Sequence, residues 1–153
     1  MGIRRYFMEK SFNDEAQRQK NNAVNRALAA TFQQRANELQ STYNAKQEEI
    51  ERLKAAKSSL KTAITSYKEV KKSINSTLVD NMDNANFKGS IRTTFDGHAT
   101  TIVSDITSDI STHKANVDTL TNEIQKRQAS QNSLSGLISA FNKSASDCLA
   151  LIR

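Results

Sequence analysis

Apolar residues recur along this chain with a period of about 3.5 residues, the repeat of helices that pack side by side. From Leu39 onward the seam positions advance by alternating steps of four and three: Leu39, Tyr43, Lys46, Ile50, Leu53, Lys57, Leu60, Ile64, Tyr67, Lys71, Ile74 and Leu78. A second set runs through Ile102, Ile106, Ile110, His113, Val117, Leu120, Ile124, Arg127, Gln131, Leu134, Ile138, Phe141, Ala145, Cys148 and Ile152, again mostly in fours and threes. Each set lies along one stripe of an α-helix and needs a partner helix to bury it. Between them the run Asp-Asn-Met-Asp-Asn-Ala-Asn, from Asp80 to Asn86, concentrates short polar side chains that bond to their own backbone and compete with helix. The pattern therefore predicts one all-α domain, a long antiparallel two-helix hairpin of coiled-coil type that forms part of a four-helix bundle with a partner.

The expected boundaries are an N-terminal extension over 1–12, helix one over 13–80, a turn over 81–90 and helix two over 91–152. Ser11 or Asn13 with Asp14 and Glu15 reads as the first helix start, and Ser90 or Thr93 as the cap of the second. Phe95-Asp96-Gly97 reads as the place where helix two becomes regular. Arms of about 60 to 65 residues would each run on the order of 100 Å at ~1.5 Å per residue. Lys46, Lys57, Lys71, His113, Arg127 and Gln131 interrupt the seams; they read as devices that set register and keep the arms soluble, their long stems covering apolar surface.

The end away from the turn carries more apolar surface than one stripe requires. Leu134, Leu137, Ile138, Phe141, Leu149, Leu151 and Ile152 cover more than one face, with Leu28, Phe32 and the Ala27 to Ala30 run opposite. A hairpin has no third layer to cover this surplus, so either Tyr6, Phe7 and Phe12 fold back over it or another protein does. The partner-binding residues read from the sequence are accordingly Leu28, Phe32, Leu134, Leu137, Ile138, Phe141, Leu149 and Ile152.

Composition agrees with long helices and narrows the function. The 153 residues contain no proline and four glycines, and only 37% are hydrophobic and 6% aromatic, too few for a thick core. The net charge of +6 comes from 22 basic and 16 acidic residues that are interspersed and form no Lys/Arg tract beside aromatics, which argues against a nucleic-acid-binding role. The single cysteine, Cys148, excludes an internal disulfide and reads as a packed thiol. His98 and His113 are too far apart to share a helix turn, so no zinc-ligand spacing exists, and no cofactor is expected. A thin hairpin offers no deep pocket in which to perturb a nucleophile or a base, which points away from enzymatic activity. No window is apolar enough for a transmembrane span. The sequence Met-Gly-Ile-Arg-Arg-Tyr-Phe-Met lacks a signal-peptide core, so export is expected only by a route that does not read one; Met8 is a second candidate start.

The tip supplies the one motif. Phe87-Lys88-Gly89 sits at the bend, where glycine tolerates a left-handed backbone and Phe87 can staple the turn onto the helix ends. An aromatic-x-Gly between two long antiparallel helices in a small proline-free chain resembles the WXG100-like superfamily of type VII secretion. Within it, the chain looks most like the YwqH-like proteins and the small helical partners of LXG toxins in Gram-positive bacteria. Phe87 stands at the family's Trp, Lys88 at its free middle residue and Gly89 at its Gly. The family's Tyr-x-x-x-Asp/Glu export signal has no counterpart, since the last aromatic is Phe141 and the acid that follows, Asp147, lies two positions too far. The resemblance implies a non-enzymatic adaptor or chaperone. It would pair with a WXG100-like chain or the helical domain of an LXG toxin, in the cytoplasm or exported with that partner. The alternative is a structural coiled-coil protein, a phage or cytoskeletal spacer, that homo-oligomerises through its seam.

Overall fold

The computed structural model describes the backbone of residues 2–80 and 88–153 and the side chains of residues 11–78 and 88–153. Helix α1 spans Gly2–Ile74 and runs into a π-helical stretch over Asn75–Asp80; helix α2 spans Ser90–Ala150. No strand occurs among the described residues, and the two long helices pack against each other. The fold is the all-α two-helix hairpin that the periodicity implies.

The chain groups into two compact units, a terminal one of Met1–Glu48 with Gln128–Arg153 and a central one of Glu49–Arg127. In the terminal unit Asn22 meets Arg153, Phe32 meets Phe141, and Gln47 meets Gln131. In the central unit Glu49 meets Arg127 and Tyr67 meets His113. One arm ascends in number as the other descends, so each unit is an antiparallel pair.

Labelling the seam a and d in the heptad explains where the cores sit. The buried residues Ala29, Ala36, Ile50 and Ile64 of α1, and Ile110, Ile124, Gln131 and Ala145 of α2, all fall at a, and Ala99 at d. The terminal unit therefore places alanines and one glutamine at its tightest positions, whereas the central unit places isoleucines at its a positions, with Ala99 at d. Each isoleucine removes far more apolar surface from water than an alanine does, which makes the central unit the stronger hydrophobic pair. The seam also extends further toward the N-terminus than the large apolar residues mark, because half-buried Asn22, Asn25 and Phe32 continue the four-three rhythm with Ala29 and Ala36.

Several local expectations change. Residues 2–12 belong to α1 and form no separate extension, since nothing in that stretch breaks a helix and the Ser11–Glu15 signal lies inside one. The start of the α2 seam shifts by one residue: Ile102 is 48% exposed and Val103 is half-buried, because unbroken steps of four and three from Ile106 back to buried Ala99 pass through 103. Neither Ser90 nor Thr93 caps α2. The Gly89 carbonyl accepts the Thr93 amide at 3.2 Å and the Thr93 hydroxyl at 3.4 Å, which makes Gly89 the cap. Gly89 has φ +80°, a left-handed conformation that glycine adopts at no steric cost. Phe95-Asp96-Gly97 lies within α2, where the Arg92 Nε donates to both Asp96 carboxylate oxygens at 2.8 Å.

The polar seam residues have specific neighbours. The Gln131 Nε2 donates to the Gln47 Oε1 at 2.6 Å. The Arg127 guanidinium lies 3.1 Å from the Glu49 carboxylate and 3.9 Å from that of Glu123. The His113 ring packs edge-on against Tyr67, with ring centroids 6.2 Å apart and planes at 81°. Such matched polar pairs fit one register and mismatch when the arms slip.

Candidate functional site

In the terminal unit several large apolar side chains stand exposed beside the seam. In an antiparallel pair the g positions of both helices share one flank and the e positions share the other. Two contacts show this directly. The e residues Gln33 and Asn142 meet across the terminal unit at 3.4 Å, and the g residues Glu49 and Glu123 both reach Arg127 in the central unit. On the g flank of the terminal unit stand Leu28, Leu137 and Leu151, respectively 45%, 48% and 61% exposed, with Val24 one turn from Leu28. The e flank is mostly amide and hydroxyl, through Gln33, Gln40, Gln47, Ser135 and Asn142, with Leu149 and Phe12 as its exposed apolar members.

The small a residues of this unit explain the exposure. With Ala29, Ala36 and Ala145 forming the contact, the leucines flanking the seam have no facing cavity to enter and remain at the surface. The partner-binding residues expected from the sequence thus separate into two groups. Phe32, Leu134, Ile138, Phe141 and Ile152 are half-buried in the seam, where Phe32 and Phe141 stack with centroids 6.1 Å apart. Leu28 and Leu137 are exposed on the g flank, and Leu149 is exposed on the e flank. The side chain of Phe12 is exposed as well, while Tyr6 and Phe7 lie outside the described side chains.

At the chain end this flank opens into a groove of about 590 Å³ between α1 and the last residues, with Asp14, Asn21, Val24, Leu151 and Arg153 in its walls. Its far wall is fastened by Asn22, a residue the sequence pattern did not single out. The Asn22 Nδ2 donates to the Arg153 carbonyl at 2.6 Å and its Oδ1 accepts the Arg153 amide at 3.1 Å. An asparagine at a seam position is visible in the sequence as a break in the apolar stripe, but its partner, 131 residues away, is not.

At the tip, Lys88 and Gly89 are exposed and Phe87 lies outside the described residues. Cys148 is a half-buried free thiol at seam position d. No group of three or more His, Cys, Asp or Glu converges among the described residues, and no described helix is long and apolar enough to cross a membrane.

The sequence profile of the YwqH-like family matches residues 28–148, from Leu28 on the exposed flank through both seams to Cys148. The chain belongs to the YwqH-like family. The match takes in most of α1 and nearly all of α2. No curated protein matches the chain.

Proposed function

We propose that this YwqH-like chain is a non-enzymatic helical adaptor of type VII secretion. It pairs with a WXG100-like chain or with the helical N-terminal region of an LXG-type toxin, and supports that partner's stability or export. The observation that carries the reading is the g flank of the terminal unit, where Leu28, Leu137 and Leu151 stand exposed with Val24 beside a seam built of alanines. A second helical pair laid along this flank would bury those leucines in helix-on-helix packing and complete a four-helix bundle. Family membership and the left-handed Gly89 at the start of α2 support the same reading. The adaptor acts in the cytoplasm, or leaves the cell by a route its partner specifies.

Co-expression with the helical N-terminal region of an LXG-type toxin, followed by affinity capture and size-exclusion chromatography, tests the proposal. The wild-type chain is expected to co-elute with the toxin region. Leu28→Glu with Leu137→Glu, two changes at exposed positions, should weaken capture by roughly tenfold or more while leaving the helical circular-dichroism signal and melting temperature unchanged. Equal capture by wild type and variant overturns the assignment of the flank. Self-association in place of capture, measured by light scattering, favours the homo-oligomeric coiled-coil alternative.

A further inference from the structure

On the e flank of the central unit, α1 and α2 enclose a groove of about 660 Å³ whose walls carry Lys68, Lys71, Lys72 and Lys114. Its floor includes Ile110, which is 7% exposed. Some cations elsewhere on the molecule stand beside carboxylates, Lys54 with Glu51, Arg92 with Asp96, Lys126 with Glu123, and Arg127 with Glu49, and others, such as Lys20 and Lys143, make no ion pair among the described residues. None of the four groove lysines makes an ion pair among the described residues, although Glu69 adjoins Lys68 in sequence and Asp118 follows Lys114 by one turn. Like charges three and four residues apart, as Lys68 is from Lys71 and Lys72, repel along a helix. The groove therefore gathers four lysines that have no direct ion-pair partner among the described residues.

Two neutral donors face the same space. The Ser111 hydroxyl and the Asn75 amide line the groove and make no hydrogen bond among the described residues, whereas the Thr107 hydroxyl beside them is spent on the Val103 carbonyl at 2.6 Å. Asn75 also begins the π-helical stretch, a wider turn of backbone that recurs at binding sites and interrupts the regular surface of α1 here. Four ammonium groups, which can only donate, together with an amide and a hydroxyl that can donate as well, form a donor-rich lining that suits a multiply charged oxyanion. One phosphoryl group carries about −1.5 to −2 charges at neutral pH, so a ligand with two or more is needed to balance the lysines.

We propose that this groove binds an oligophosphate, either a soluble one or the paired phosphates of a lipid headgroup. The proposal is independent of partner docking on the terminal unit and survives its failure.

Isothermal titration calorimetry of the full chain with inorganic tripolyphosphate, alongside orthophosphate, tests it. Tripolyphosphate is expected to bind saturably, roughly tenfold or more tighter than orthophosphate, and to weaken with added salt. Lys68→Gln with Lys114→Gln should lose roughly tenfold or more in affinity. Lys20→Gln with Lys143→Gln, which removes the same charge from the terminal unit, should bind as the wild type does. Circular dichroism on both variants establishes that they are folded. In a parallel arm, flotation with phosphatidylcholine vesicles with and without cardiolipin uses the same proteins. Cardiolipin-dependent flotation lost only in the groove variant assigns the phosphates to a lipid, and tripolyphosphate binding without flotation assigns them to a soluble ligand. Absence of both, or equal loss in the two double variants, overturns the site.

Discussion

Ile50 and Gln131 occupy equivalent a positions and serve different ends. Ile50 is 1% exposed and has no polar obligation, so its whole side chain contributes burial. Replacing it by alanine is expected to cost about 2–4 kcal/mol in urea denaturation, the transfer loss plus a cavity that a two-helix core only partly closes. Gln131 is 6% exposed and its hydrogen bond to Gln47 offsets the desolvation of one amide. Gln131→Leu leaves Gln47 exposed to water, which can replace the lost hydrogen bond, so the variant should fall within about 1 kcal/mol of wild type or above it. A loss as large as that of Ile50→Ala would show the amide pair to be a stabilising element and not a register mark.

At the scale of the element, α1 and α2 are long because nothing interrupts them, and the two interior glycines of α2 are its weak points. A Cβ added at Gly97 or Gly136 would meet nothing within 4 Å. Gly97→Ala and Gly136→Ala are each expected to stabilise by about 0.5–1 kcal/mol, seen as a higher melting temperature; a fall at either would reveal a contact that needs the bare backbone. The helix seams were legible from Leu39 to Ile74 and from Ile106 to Ile152 because large apolar residues mark the four-three rhythm there. They were less legible around Asn22, Asn25, Ala29 and Ala36, where the seam positions hold small or polar residues that hydropathy alone does not distinguish from surface. Nor did the sequence announce the π-helical stretch over Asn75–Asp80, since a backbone register shift leaves no compositional mark of its own.

For the molecule as a whole, charge matters through where it is paired. Lys126, by its hydrogen bond and then its charge, together with the Arg127 charge, holds the Glu123 carboxyl below its ordinary value of 4.5. A carboxylate whose pKa is lowered by folding adds stability that is fully present above that ordinary value and is lost as the pH falls through the folded one. Melting temperature should therefore drop on acidification from neutrality to below pH ~4.5, and Glu123→Gln should show a shallower drop. Equal slopes for both proteins would assign the acid sensitivity to other carboxylates. In the lysine groove of the central unit, by contrast with Lys126, Lys68, Lys71, Lys72 and Lys114 make no ion pair among the described residues.

What the sequence determined by itself is the class of structure: no proline, a sustained four-three spacing and an Asx-rich break dictate two helices that must find each other, because each has one apolar stripe and no other way to bury it. Which leucines remain outside was decided only by packing. Phe32, Phe141, Leu28 and Leu137 are alike in hydropathy, but the first two stack in the seam while the other two flank alanines and stay exposed. The lysine groove was likewise invisible, since Lys68, Lys71 and Lys72 approach Lys114 only when the arms run antiparallel in this register. Periodicity is a property of one helix, whereas a flank or a groove belongs to two, and its composition exists only once they are paired.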